Sequence, residues 1–86
     1  MTADTGKTMT AEEIRRWLVQ AIAKKLKVKP EAIDVNTPFD EFGLDSAAAV
    51  ALSGSLGELL NRDLPGTVLY EYPTVNELSS HLASRR

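Results

Sequence analysis

A helix-start signal stands at Thr10-Ala11-Glu12-Glu13, and apolar residues follow it at helical spacing. In such a capping box, the threonine and the second glutamate each accept a hydrogen bond from the other's backbone N–H group, which fixes where a helix begins. The spacing predicts a helix from about Ala11 to Lys27, with one buried face, that stops before Pro30. That face consists of Ile14, Trp17, Leu18, Ala21, Ile22 and Leu26.

Helical patterning continues in the second half of the chain. A second helix is predicted from about Ser46 to Asn61, and a short one from Thr67 to Glu71. A further capping box, Thr74-Val75-Asn76-Glu77, predicts a last helix. Gly54 and Gly57 each cost the second helix about 1 kcal/mol relative to Ala, which suggests a need for small residues at a close approach. The predicted core faces are Val50, Leu52 or Ser53, Leu56, Leu59 and Leu60 on the second helix, and Val75, Leu78 and Leu82 on the last.

The segment between the first two predicted helices, Pro30 to Phe42, is long and contains Pro38 together with several acidic residues. We expect its apolar side chains to pin it to the core; they are Ile33, Val35, Phe39 and Phe42. The chain shows neither strand-like alternation nor an internal repeat. These patterns predict an all-α fold, a small bundle of three main helices plus one short helix, with a long loop between helices 1 and 2.

Size and composition narrow the range of functions. With 86 residues the chain makes one small domain, predicted at residues 10–84 after a disordered polar tail at residues 1–9. There is no cysteine and His81 is the single histidine, so ordinary zinc, iron–sulfur and other metal sites are not expected. The net charge of −2 argues against nucleic acid as a partner. No apolar run is long enough to span a membrane, and we expect a cytoplasmic monomer without a signal peptide.

The tetrapeptide Gly43-Leu44-Asp45-Ser46 stands at the start of the second predicted helix. A hydroxyl there faces free backbone N–H groups and the positive end of the helix dipole, which would stabilise a phosphate attached to Ser46. Because the chain has no cysteine, thiol chemistry would require an imported thiol, such as one on a phosphodiester-linked arm. Asp45 and Ser46 are also ordinary capping residues, and this second interpretation stays open.

Intrinsic catalysis by Ser46 is not predicted. A serine nucleophile needs a nearby base, an orienting group and an oxyanion hole. The single histidine lies near the end of the chain, and a Gly-x-Ser-x-Gly turn is absent because Ala47-Ala48 follows the serine. We therefore expect a protein that is not an enzyme.

The motif Phe42-Gly43-Leu44-Asp45-Ser46 precedes Tyr72-Pro73-Thr74 by about 25 residues, and a helix follows each. In this order and spacing, the chain from about Thr10 to Ala83 resembles an acyl carrier protein of bacterial polyketide synthases. The resemblance implies that a phosphopantetheinyl transferase, using coenzyme A and magnesium, attaches 4′-phosphopantetheine covalently to Ser46. It implies that Asp45 helps to position the donor phosphates and the metal. The arm would hold acyl intermediates as thioesters in polyketide or fatty-acid-derived natural product biosynthesis.

The resemblance also implies partners beyond the transferase. They are an acyl-loading enzyme, either an acyltransferase or a fatty-acyl adenylate ligase, and a ketosynthase or other synthase domains. The Leu52-Ser53-Gly54 and Leu69 to Thr74 stretches are similar to carriers that fatty-acyl adenylate ligases serve. Gly43-Leu44 favours an acyl carrier, because peptidyl carriers of non-ribosomal peptide synthetases more often have two glycines there. A peptidyl carrier and an unmodified helical interaction module remain as alternatives.

Two positions depart from the family pattern. Ala47 stands where a large apolar residue is usual, and Ala51 stands where glutamate is frequent. No charged residue occurs from Ser46 to Gly57, whereas Glu31 to Asp45 contains five acids and no Lys or Arg. We therefore predict that partners dock by close apolar or backbone contact, with the acidic loop providing electrostatic steering. The predicted docking residues are Gly43, Leu44, Ala47, Val50 and Ala51.

Overall fold

The computed structural model describes residues 9–84, which form four α-helices and two short 3₁₀ helices without a strand in this range. The predicted all-α architecture is confirmed. The predicted tail lies outside the described residues except for Met9, which packs partly buried against the core. The elements are α1 (Ala11–Leu26), 3₁₀ helices at Pro30–Ala32 and Phe39–Phe42, α2 (Ser46–Leu60), α3 (Val68–Glu71) and α4 (Val75–Ser84).

Helix α1 begins and ends with complete capping structures. Thr10 Oγ1 accepts the Glu13 N–H at 3.1 Å, and Glu13 Oε1 accepts the Thr10 N–H at 3.0 Å, so the predicted capping box is present. At the other end Lys27 adopts the left-handed conformation, with φ of 61°, and Val28 donates its N–H to Ala23 O at 3.0 Å. The helix therefore ends one residue before the predicted end. Its buried face packs mainly against α4.

Helix α2 buries most of its predicted core residues, Leu52, Ser53, Leu56 and Leu60, but two of the predicted residues lie outside the buried face. Val50 is 54% exposed and Leu59 is 36% exposed, so the assignment of these two residues to the core was wrong. The cause lies in the composition of the helix, because apolar residues occur on all its sides and their spacing does not select one face. The buried residues are Ala49, Leu52, Ser53, Leu56, Gly57 and Leu60.

The two glycines of α2 have different surroundings. A Cβ at Gly57 would lie 2.6 Å from the backbone oxygen of Arg62, whereas a Cβ at Gly54 would meet nothing within 4 Å. The close contact arises because Asn61 takes a left-handed conformation, with φ of 56°, and turns the chain back over the last turn of α2. The expected need for a small residue thus holds for Gly57 alone.

The long connection between α1 and α2 is fixed to the corner between α3 and α4. The Phe39 N–H donates to Pro73 O at 2.7 Å, and the Asn76 N–H donates to Val35 O at 3.0 Å. A side-chain hydrogen bond of 2.7 Å from Asn76 Nδ2 to Asn36 Oδ1 adds to this attachment. As predicted, the apolar side chains of the connection pack on the core; Ile33 and Phe39 are buried, and Val35 and Phe42 are partly buried.

Helix α4 closes the bundle. Thr74 Oγ1 accepts the Glu77 N–H at 3.1 Å at its start, and the predicted inner residues Val75, Leu78 and Leu82 are buried. Arg62, just beyond α2, donates from its guanidinium to Leu82 O at 3.1 Å. Within residues 9–84, every helix is too short or too polar to cross a membrane.

Candidate functional site

The turn before α2 is shaped by Gly43. This glycine ends the Phe39–Phe42 helix with φ of 84°, a left-handed conformation that favours glycine, and donates its N–H to Asp40 O at 3.2 Å. A Cβ at this position would meet nothing within 4 Å, so backbone conformation and not lack of space calls for the glycine.

Asp45 and Ser46 form the first positions of α2. Asp45 has an extended backbone, and its Oδ1 accepts the Ala48 N–H at 2.8 Å, so it is the N-cap. Ser46 is the first helical residue, and it is exposed. The capping role that the sequence allowed for both residues therefore falls to Asp45, and the Ser46 side chain is not used to start the helix.

Tyr70 lies beside Ser46, a contact that the sequence reasoning did not identify. Tyr70 Oη is 3.4 Å from Ser46 Oγ, within hydrogen-bond distance, and the Tyr70 side chain is 57% exposed. Val68 and Leu69 are buried and anchor the short helix α3, which places Tyr70 at the start of α2. The resemblance of the Leu69 to Thr74 stretch to carrier proteins drew attention to this segment. It did not predict that Tyr70 contacts Ser46, which lies 24 residues earlier in the chain.

A family model for the phosphopantetheine attachment site matches residues 16–82, which include the turn, α2 and α3. The chain belongs to this family of phosphopantetheine-binding carrier proteins. The predicted membership of the family and its covalent cofactor, 4′-phosphopantetheine, are confirmed at this level.

Three relatives show what the carrier domain is similar to. It is 36% identical to acyl carrier protein TtuC of Teredinibacter turnerae over 78 residues, which are 91% of this chain and 90% of that protein. It is 32% identical to the erythronolide synthase EryA3 of Saccharopolyspora erythraea over 84 residues, or 96% of this chain and 3% of that synthase. A free-standing peptidyl carrier protein from Acinetobacter baumannii has a similar solved structure, with a TM-score of 0.83 and 36% sequence identity. The match covers 87% of this chain and 94% of that chain.

The surroundings of Ser46 fit the group that this family carries. Ser46 is exposed, and the next residue, Ala47, is small and exposed. Among residues 9–84, the Asp45 carboxylate accepts a hydrogen bond through Oδ1 alone, so Oδ2 is available to a ligand. The residue that would hold the phosphodiester is thus exposed, and Tyr70 Oη lies 3.4 Å from its hydroxyl.

Most of the predicted docking residues lie on the surface around this site. Gly43, Ala47, Val50 and Ala51 are exposed, and Leu44 is partly buried against the core. The exposed face of α2 has no charge before Glu58. The carrier domain thus presents an uncharged helix face next to Ser46, with the acidic residues Asp40 and Glu41 on the preceding 3₁₀ helix.

Depressions border α2 on several sides. A groove of about 460 Å³ runs between α1 and α2, and an apolar pocket of about 210 Å³ lies below Tyr70. The groove is lined by Trp17, Gln20, Ala21, Lys24, Lys25, Ala51, Leu52 and Ser55. The pocket is lined by Pro38, Phe39, Asp40, Leu44, Ala49, Leu69, Tyr70 and Pro73.

Proposed function

We propose that this carrier domain holds acyl intermediates as thioesters on a 4′-phosphopantetheine arm attached to Ser46 Oγ. The exposed serine hydroxyl at the start of α2, in a family defined by phosphopantetheine attachment, carries the proposal. When bound, the arm supplies a thiol whose thioester is a good acyl donor, and tethering raises the effective concentration of the acyl group at each partner. The similarity to TtuC and to a polyketide-type synthase supports a role in polyketide or fatty-acid-derived natural product biosynthesis.

Ser46 and Asp45 have separate roles in attachment. Ser46 Oγ forms a bond to the β-phosphorus of coenzyme A while the pyrophosphate linkage breaks and adenosine 3′,5′-bisphosphate leaves. A phosphopantetheinyl transferase accepts the serine proton. Asp45, held by its bond to the Ala48 N–H, keeps one carboxylate oxygen for the donor phosphates and magnesium of that complex. In this proposal the chain is a platform and not an enzyme, because the transferase supplies the catalysis.

Intact mass tests the attachment. The protein is incubated with coenzyme A, magnesium and a broad-specificity phosphopantetheinyl transferase, and we expect a gain of one phosphopantetheinyl group. Ser46→Ala should abolish the gain and stay folded, because Asp45 still caps α2. Ser55→Ala, at an exposed serine of the same helix, is the matched control and should be modified normally. No gain by the folded wild-type protein, with a control carrier modified, would favour an unmodified interaction module.

A peptidyl carrier is the second candidate, because the similar solved structure from Acinetobacter baumannii has that description. Gly43-Leu44 before Asp45 favours the acyl role, since peptidyl carriers more often have two glycines at this point. Loading separates the two candidates. The modified protein should accept an acyl group from an acyltransferase or a fatty-acyl adenylate ligase, and acceptance of amino acids alone from adenylating enzymes would reverse the assignment.

The exposed face of α2 is proposed as the docking surface for these partners, including the loading enzyme, a ketosynthase or other synthase domains. The docking residues are Gly43 and Leu44 in the turn before α2 and Ala47, Val50 and Ala51 on its exposed face. Because they are uncharged, contact is apolar or through the backbone and steering falls to the acidic loop. Such contacts suit a cytoplasmic monomer that visits several enzymes in turn, each docking being weak and transient.

A charge placed in this surface tests it. Ala51→Glu should slow acyl transfer from the chain's own loading enzyme, mainly through a higher KM, because a carboxylate would be desolvated at the contact. Ser80→Glu adds the same charge at an exposed position of α4 and is the matched control. Loading of the Ala51→Glu protein at an unchanged or higher rate would contradict docking through this face.

A further inference from the structure

We propose that Tyr70 holds the phosphate of the arm, its hydroxyl donating a hydrogen bond to the phosphodiester formed on Ser46. The inference rests on the proposed function, because it needs the arm to be attached at Ser46. It adds a phosphate-positioning residue on α3 to a site otherwise formed by the turn and the start of α2.

The contact with Ser46 sets the direction of this hydrogen bond. In the unmodified protein Tyr70 Oη and Ser46 Oγ lie 3.4 Å apart, and either hydroxyl can donate. Modification turns Ser46 Oγ into an ester oxygen, which has no hydrogen left to give. Tyr70 is then the donor, and the phosphate oxygens lie two bonds from the Ser46 Oγ atom that it already contacts. A hydrogen bond to an anionic oxygen is shorter and stronger than one between two neutral groups.

Tyr70 is free to make this bond. More than half of its side chain is exposed, so the hydroxyl is not committed to the core. Its position is nevertheless fixed, since its N–H donates to Thr67 O at 2.9 Å and its neighbours Val68 and Leu69 are buried. A donor held in place by its backbone loses less entropy on binding than one on a mobile loop.

Charged side-chain donors for the phosphate are scarce around Ser46, which leaves the Tyr70 hydroxyl and the first backbone N–H groups of α2. Arg62 is the single Lys or Arg between Pro30 and Ser84, and within the described residues its guanidinium is bonded to Leu82 O. The Ala48 N–H at the start of α2 is already taken by Asp45 Oδ1 at 2.8 Å. That carboxylate also puts negative charge at the helix start, where it repels a phosphate. Among the side chains of residues 9–84, the Tyr70 hydroxyl is therefore the donor that contacts Ser46.

The consequence concerns the face that partners contact. A phosphate held on the Tyr70 side starts the arm between α2 and α3. It leaves the exposed residues Ala47, Val50 and Ala51 free for protein contact. One carrier surface can then engage an enzyme while the arm departs from its edge.

Phosphorus NMR of the modified proteins tests the proposal. Tyr70→Phe removes one exposed hydroxyl, and we expect the phosphodiester ³¹P resonance to move by more than its linewidth. Tyr72→Phe is the matched control, because the Tyr72 ring stacks on His81, with ring centroids 3.9 Å apart, and lies on a different side of α3 from the Ser46 contact. That variant should leave the resonance in place. A modified Tyr70→Phe protein with the wild-type ³¹P shift would overturn the role of Tyr70.

The wild-type protein provides a second readout that needs no substitution. With ¹³C-labelled tyrosine, the chain gives two Cζ signals, and we expect only that of Tyr70 to shift when the arm is attached. No shift at Tyr70 would overturn the proposal even where a variant folds poorly. Intact mass separates the two levels of inference, because absence of the arm contradicts the proposed function, whereas an attached arm that leaves both NMR signals unchanged contradicts only the role of Tyr70.

Discussion

Helices α1 and α2 have almost the same length, 16 and 15 residues. Their sequences differ greatly in how clearly they indicate the ends and the buried face of the helix. Helix α1 has a full capping box, acids in its first turn, lysines in its last turn and a narrow apolar stripe. Helix α2 has a single N-cap bond from Asp45, no charge before Glu58 and apolar residues on all sides. The ends and buried face of α1 follow from its own residues, whereas the buried face of α2 is determined by the elements that pack against it.

The difference follows from what each helix does. A helix that only builds the core can use charged residues on its outer face, and these mark its orientation clearly. The outer face of α2 lies beside Ser46 and is proposed to meet other proteins, so its residues are small and uncharged. The features that make α2 ambiguous as a sequence are those that suit it to a transient protein contact.

The largest expected effect tests which face of α2 is buried. Leu56→Ala should lower the free energy of unfolding by about 2–5 kcal/mol, because this fully buried leucine would leave a cavity. Leu59→Ala, on the same helix but exposed, is the control and should cost less than about 1 kcal/mol. Urea denaturation measures both. Equal losses for the two variants would show that the buried face is assigned wrongly.

A smaller effect concerns the two glycines of α2. Gly57→Ala should destabilise the domain by about 1–3 kcal/mol, because its Cβ would press on the Arg62 backbone oxygen. Gly54→Ala should instead stabilise it by about 1 kcal/mol, because alanine favours the helix and nothing lies near the new methyl group. Opposite shifts in melting temperature are the expected result. Shifts of the same sign would mean that α2 does not end against the following turn as described.

The smallest effect compares the ends of the two helices. Lys27 and Asn61 both adopt left-handed conformations, which cost a lysine more than an asparagine. Lys27→Gly should therefore raise the free energy of unfolding by about 1 kcal/mol, and Asn61→Gly should change it by less. Chemical denaturation of the two variants provides the measurement. A larger gain at Asn61 would show that the end of α1 is not strained.

Capping patterns and apolar spacing predicted the helices of this chain. The buried face of α2 depends on tertiary contacts, and the sequence did not predict it fully. The capping patterns at Thr10 and Thr74 placed the starts of α1 and α4 correctly, because they depend on residues three apart. The predicted helix ends were off by one residue at Lys27 and Asn61, which both adopt the left-handed conformation of a cap. The sequence did not mark the cap at Lys27, since lysine rarely forms one. Val50 and Leu59 were assigned to the core because apolar spacing alone does not identify a buried side.

The same limit applies to the site. Gly43 to Ser46 was recognised as a unit, because its residues are adjacent and their roles in starting a helix are local. Tyr70 was not recognised as part of the site, because its contact with Ser46 exists only after α3 has packed beside α2. No sequence pattern in α2 or in α3 predicts that the two helices lie side by side.

The hydrogen bonds from Phe39 to Pro73 and from Asn76 to Val35 have a consequence for synthesis of the chain. They join segments more than 30 residues apart, so they form only after residues 73–76 have left the ribosome. Until then the connection that leads to Ser46 lacks this attachment, although its own sequence is complete. Recognition of the attached connection by the proposed transferase would therefore restrict modification to chains in which residues 73–76 have emerged.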